Sequence, residues 1–310
     1  MSGPLFLGAA SAALALLLPL PATQEGAKPA SEVDVLQARR DLHARLTVPV
    51  QIGEHGPFNF LIDTGAERTV LSHDLAARIG LVASGSATVM GVAGTQQVQL
   101  VDVEELNLGR RSFYGLSAPL LEDRFIGADG IIGLDSLQDQ RVLLDFENNR
   151  LAIDDSKHLG GNKGFEIVVT ARRRSGQLIV TNALVDGVRT DIVIDTGAET
   201  SIGNLALQRA MADRHRSEPS LLVSVTGQQV VAQSGYARTV QFGKLTLNNT
   251  LLAFTDAPPF ARLGLRERPA MLLGMNQLRM FKRVAIDFKS RRVLFDLPDE
   301  VASDFERGLR

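Results

Sequence analysis

From Leu46 the chain alternates apolar and other residues through Leu46, Val48, Val50 and Ile52; Gly53-Glu54-His55-Gly56-Pro57 then breaks the run, and Phe58 to Ile62 resumes it. Successive strand side chains point to opposite faces, so this alternation predicts a half-buried β-hairpin. The second half repeats the pattern: Leu178 to Val185, an Asp186-Gly187 pair, then Val188 to Ile194. Asp-Gly between apolar runs suits a two-residue hairpin turn, whose central positions need positive φ. Helical signals are short. Ser72 is placed to cap His73 to Ile79, which Gly80 ends, and Asn204 to cap Leu205 to Met211. The pattern predicts an all-β protein with short helices only.

Each hairpin runs into the same phrase, Leu61-Ile62-Asp63-Thr64-Gly65-Ala66-Glu67 in the first half and Val193-Ile194-Asp195-Thr196-Gly197-Ala198-Glu199 in the second. Further landmarks follow in the same order. Thr88 to Gln96 and Val223 to Gln229 each read as strand, small or polar tip, strand. Leu106-Asn107-Leu108-Gly109 is answered by Val240-Gln241-Phe242-Gly243, and Ile131-Ile132-Gly133-Leu134 by Leu272-Leu273-Gly274-Met275. Val142-Leu143-Leu144-Asp145-Phe146 is answered by Val284-Ala285-Ile286-Asp287-Phe288. A period this long means two copies of one folding unit, since solenoids use several short repeats. The expected organisation is a leader at 1–23, a polar linker at 24–41, one lobe at 42–154, a Gly-rich linker at 155–164, a second lobe at 165–297 and a tail at 298–310.

Composition narrows the chemistry. The 310 residues suffice for two modest domains, and 45% apolar with 22% charged residues is ordinary for a globular protein. A net charge of −2 gives no reason to expect nucleic acid as partner. With no cysteine, thiol catalysis and disulfides are excluded. The five histidines, His43, His55, His73, His158 and His215, are scattered without ligand spacing, so no metal or other cofactor is expected. Leu5 to Leu20 is uncharged and apolar and precedes Pro21-Ala22-Thr23, which reads as a secretory signal. The protein is therefore expected to be exported, to the periplasm or beyond, with no membrane span in its mature form.

The two halves resemble retroviral-type aspartic peptidases, the retropepsin-like family, fused in tandem over roughly residues 42 to 297. The resemblance implies two β-barrel lobes about a pseudo-two-fold axis, with catalytic aspartates Asp63 and Asp195 in one cleft. It implies that Ile131-Ile132-Gly133 and Leu272-Leu273-Gly274 pass behind them. Gly65, Ala66, Gly197 and Ala198 would shape the loops, and Thr64 and Thr196 would brace them across the axis. The hairpins near Gly91 to Thr95 and Thr226 to Gln229, with Gly91, Val92, Ala93, Gly94, Thr226 and Gly227 at their tips, would form substrate-covering flaps. The activity implied is that of an aspartic endopeptidase, acting on peptide or protein substrates as a single-chain monomer.

The chemistry fits two carboxylates. At ~4 Å and an effective dielectric of ~20, two like charges repel by about 4 kcal/mol, roughly three pKa units, so one member keeps a proton while the other ionises. Such a pair activates water and supports the carbonyl oxygen at once. Pepsins commonly carry Ser or Thr after Asp-Thr-Gly. Ala66 and Ala198 stand there in this chain, which predicts a pH optimum displaced upward, toward mildly acidic or near-neutral. The rival is a catalytically silent or regulated peptide-binding module on the same fold. Arg172-Arg173-Arg174 reads as a solvated strand end, and Asp145 and Asp287 as structural.

Overall fold

A computed structural model of the chain describes residues 35–37, 39–40, 46–211 and 217–298. The expected signal sequence, most of the polar stretch after it, and all but the first residue of the expected tail lie outside the described residues.

Six strands close into a barrel in the first lobe. Around the ring they run Leu46–Ile52, His55–Ile62, Gly130–Ile132, Val70–Ser72, Arg111–Leu121 and Gly94–Leu108, and the last pairs back to the first through Gln51 with Asn107. The second lobe repeats the ring with Gln177–Val185, Val188–Ile194, Ala270–Leu273, Ser201–Gly203, Leu245–Phe254 and Gln229–Phe242, closed by Leu184 opposite Gln241. Closure removes the free edges that an open sheet would expose. The Asp186-Gly187 turn forms with φ of 48° and 82°, the left-handed pair that the sequence predicts. Both predicted helix caps are made: Ser72 Oγ accepts from Leu75 N at 3.0 Å, and Asn204 Oδ1 from Leu207 N at 2.8 Å. Arg172–Arg174 is an exposed edge strand, as expected.

A third sheet joins the halves. Its order is Val35–Gln37, Arg150–Asp154, Arg141–Asp145, Arg283–Asp287, Arg292–Asp296 and Ile167–Thr170. Arg141–Asp145 and Arg283–Asp287 run antiparallel at its centre, with Leu143 opposite Ala285. The closing strands of the two repeats therefore pair with each other, and one continuous apolar core runs from Val48 in the first half to Phe295 in the second. Val35–Gln37 and Arg39–Arg40 are strands where the sequence reading has linker. The physical reason is edge completion: Val35–Gln37 pairs with Arg150–Asp154, whose outer backbone groups would otherwise lack partners.

One buried ion pair crosses this sheet. Arg141, 2% exposed, donates from Nη2 at 2.8 Å and Nε at 3.1 Å to Oδ2 of Asp287, 1% exposed. Its remaining donors reach Gly161 O and, at 3.1 Å, Asn162 Oδ1, so the segment connecting the repeats is tied to the same arginine. The repeat-related Arg283 turns instead to Asp296 and to Gly164 O. Removing one partner of a buried pair leaves a bare charge. R141A is expected to lose about 3–5 kcal/mol in chemical denaturation. The double replacement R141M/D287L, which removes both charges, should lose clearly less; equal losses would show that the pair does not tie the halves together.

Candidate active site

The strand His55–Ile62 carries Phe60 and Ile62 into the central core and turns Leu61 to a smaller cluster, so its register is fixed on both faces. It pairs in parallel with Gly130–Ile132, and Asp63 N donates to Ile132 O at 3.1 Å. The chain then folds back on itself. Gly65 N and Ala66 N donate to Asp63 Oδ1 at 2.7 and 3.0 Å, and Leu134 N donates to Ala66 O at 2.9 Å. The second half makes the same set: Asp195 N to Leu273 O at 3.1 Å, Gly197 N and Ala198 N to Asp195 Oδ1 at 3.0 and 3.2 Å, and Met275 N to Ala198 O at 2.8 Å. Gly274 has to be glycine because a Cβ there would sit 2.8 Å from Ala198 O.

The two loops face each other. A Cβ on Gly65 would lie 2.7 Å from Asp195 Oδ1, and one on Gly197 would overlap the Asp63 carboxylate, so each acid rests against the other loop's glycine. The threonines beneath them interlock. Thr64 Oγ1 donates to Ile194 O at 2.9 Å and accepts from Thr196 N at 3.2 Å. Thr196 Oγ1 donates to Ile62 O at 2.7 Å and accepts from Thr64 N at 3.0 Å. The carboxylates of Asp63 and Asp195 thus share one site, where the charge of Asp63 acts on Asp195. Asp195 is 9% exposed, and its carboxyl is pushed up to about 7. Burial is the largest cause, followed by the charge of Asp63; the N–H groups of Gly197 and Ala198 oppose the rise.

The hairpin tips cross over. Val92, between Gly91 and half-buried Ala93 and Gly94, packs on a second-lobe cluster that includes Ile179, Val193, Ile202 and Phe260. Val225 packs on the first-lobe cluster of Leu61, Val70, Leu121, Ile126 and Ile131, beside Ala66. Thr226 Oγ1 bonds Ser224 Oγ at 3.0 Å, Gln228 Nε2 donates to Thr95 O at 3.1 Å, and Gly227 is pressed against the Phe125 ring. The structure thus brings Asp63, Asp195 and their six supporting residues to one centre, and brings the predicted hairpin residues into contact across the lobes. The sequence reading missed Val225 and Phe125 at the tips, and Gln177, which reaches Gly65 O. Val225 had a signal, since it holds the place in its hairpin phrase that Val92 holds in the other.

An open cavity of about 490 Å³ lies to one side, lined by Glu67, Arg68, Asp135, Gln138, Ser175 and Arg262 among others. Arg262 Nε pairs with Glu67 Oε1 across the lobes at 3.1 Å, both side chains exposed. Neither Asp63 nor Asp195 lines this cavity, so it is separate from the paired carboxylates. Among the described residues no group of three or more His, Cys, Asp or Glu side chains could hold a metal ion, and no helix is long and apolar enough to cross a membrane.

Two stretches of the chain match family models. Residues 48–139 match one described as "gag-polyprotein putative aspartyl protease", and residues 181–277 match one described as "Aspartyl protease". No curated protein matches the chain. The matched stretches each contain one Asp-Thr-Gly loop and the apolar-apolar-Gly strand behind it.

The threonine lattice makes a separable contribution. Thr196→Val strands the Thr64 N–H and the Ile62 carbonyl, each buried group costing ~1–3 kcal/mol, so a loss of about 2–4 kcal/mol is expected in urea denaturation. Thr196→Ser keeps the hydroxyl and should lose less than about 1.5 kcal/mol. Equal stability of the two variants would contradict the lattice.

Proposed function

The chain belongs to the retropepsin-like aspartyl proteases, carrying two copies of the family's unit in tandem, and on that premise we propose that it is an aspartic endopeptidase active as a single bilobal chain. A protease-type hydrolase acting on peptide or protein substrates follows from the family; the two-aspartate mechanism is our reading. The observation that carries it is the placing of each carboxylate against the opposite loop's glycine, with the Asp195 carboxyl raised to about 7 by burial and by the Asp63 charge, because a pair that shares a proton near neutrality holds an acid and a base side by side.

In this mechanism water sits between the two carboxylates. The ionised member takes a proton from it as the oxygen attacks the peptide carbonyl carbon. The protonated member gives its proton to the carbonyl oxygen, leaving a tetrahedral diol. Collapse of the diol returns a hydroxyl proton to one carboxylate while the other protonates the amide nitrogen, and the C–N bond breaks. The hairpins would lift from their crossed positions to admit an extended peptide and close over it, excluding water. The apolar-rich leader at 1–23 supports export as the protein's destination. The crossed tips, each packed on the opposite lobe, favour a second reading in which the same activity is held closed until they part.

Asp63→Asn and Asp195→Asn should each lower kcat/KM on a mixed peptide library by roughly 10³-fold or more. Either variant cleaving at the wild-type rate would overturn the assignment. Neither Ala66 nor Ala198 has a hydroxyl to give the ionised carboxylate. A66S/A198S adds donors to the anion, which lowers its pKa, so the acid limb of the pH–rate profile should move down by roughly half to one unit. An unmoved limb, or one displaced upward, would contradict the account of the pH optimum.

A further inference from the structure

The first Asp-Thr-Gly loop leads into a charged cavity that hydrolysis itself does not use. Glu67 and Arg68 follow Ala66 directly, and both line the open space of about 490 Å³, with Ser117 and Asp135 from the first lobe and Ser175 and Arg262 from the second. The acids there are already engaged. Asp135 accepts from Thr69 N at 2.9 Å and from Thr69 Oγ1 at 2.7 Å, and Glu67 accepts from Arg262 at 3.1 and 3.3 Å. Two cations are not. Among the described residues the exposed guanidinium of Arg68 makes no hydrogen bond or ion pair. Neither does that of Arg174, also exposed, which lies against Gly264, two residues beyond Arg262.

The turn that carries Arg174 is held beside the same loop. Arg174 stands opposite Gln177 in its hairpin, and Gln177 Nε2 donates to Gly65 O at 2.6 Å. Three guanidinium groups, those of Arg68, Arg174 and Arg262, therefore border one side of the first loop, and only the last has a counter-ion. Ser117 and Ser175 add hydroxyl donors. Such a rim suits carboxylates, because a guanidinium fork matches the two oxygens with parallel N–H donors. The second loop has Thr200 where the first has Arg68, so this arginine marks one end of the site. An extended chain covers at most ~3.6 Å per residue, and Arg68 follows Asp63 by five positions, so a peptide held at the paired acids reaches Arg68 within about six residues.

We propose that this cavity recognises carboxylates of the substrate, so that the protease prefers peptides with acidic groups on one side of the cleaved bond, the side that lies over the first loop. The proposal rests on the two-aspartate reading for the cleavage itself and adds a class of substrate to it. The carboxylate comes from an acidic side chain or from the peptide's own C-terminus; both present the same two oxygens. On arrival it pairs with Arg68 or Arg174 and competes with Glu67 for Arg262. Because these arginines are exposed, each contact is modest and acts on encounter and on KM rather than on the chemical step.

Peptides with blocked termini that differ only by Glu or Gln, placed in turn on each side of the cleaved bond, test this. Wild type should favour Glu on one side only, by roughly threefold to tenfold in kcat/KM and mostly through KM. The preference should shrink as salt is raised from about 0.05 to about 0.5 M. R68A and R174A should each bring the Glu-to-Gln ratio toward one. E67Q, which frees Arg262, should raise it, and R68E/R174E should make Lys the favoured residue. A neutral peptide with a free C-terminus, compared with its amide, separates the two sources of carboxylate, and a preference for either supports the site. Fluorescence anisotropy of the labelled peptides on D195N makes the same comparisons without turnover. No preference in wild type from either source, or variants that slow Glu and Gln peptides alike, would overturn the proposal. A wild type that cleaves no peptide would remove the two-aspartate reading, while the binding comparison would still decide whether the cavity selects carboxylates.

Discussion

Two carboxylates in one buried site repel whenever both are ionised, and they stay together only where the backbone beneath them cannot spread. Here that constraint is met by the threonine hydroxyls. Thr64 and Thr196 each donate to the carbonyl just before the opposite aspartate and accept from the N–H just after it. Neither loop is fixed by its own lobe alone. Because both hydroxyls are buried, a parting of the lobes would break all four of these bonds. The same closeness makes glycine obligatory at Gly65 and Gly197, where any side chain would displace the partner acid.

Beneath the lattice lies the shared sheet. The pairing of Arg141–Asp145 with Arg283–Asp287 places the approximate two-fold axis at Leu143 and Ala285, so the strands that end each repeat also set the angle at which the Asp-Thr-Gly loops meet. Arg141 adds a directional lock by joining Asp287 and the connecting segment to one guanidinium. Burying such a pair stabilises little in itself, but a misplaced partner would be costly, and that penalty selects one docking of the halves.

The parts of this arrangement that local chemistry dictates were readable in the sequence. Asp-Thr-Gly-Ala and the apolar-apolar-Gly strands stand out because close packing leaves no alternative to glycine there. Ser72, Asn204 and Asp186-Gly187 announce their caps and turn for reasons confined to a few residues. What was not readable depends on where distant segments come to rest. Alternation marks Val142 to Asp145 as a strand without naming Arg283–Asp287 as its neighbour. The helices Asp123–Ile126 and Pro258–Arg262 are too short to show a period, and Val35–Gln37 becomes a strand only because a sheet edge is waiting for it. Gln177 is one polar residue before an apolar run. Only the docked lobes bring it to Gly65.

Fusion of two copies into one chain changes what the symmetry can become. In an assembly of two identical chains every side chain appears twice, so any favourable contact near one aspartate is repeated near the other. A fused chain is free of that restriction. Its first half carries Arg141 and its second carries Arg283 in different bonds. Hydrolysis by a shared proton needs unequal partners, one taking a proton while the other gives one, and a peptide is itself directional. An identical pair must break its symmetry afresh with each substrate. A chain whose halves differ in sequence is free to present a directional peptide with two unlike lobes.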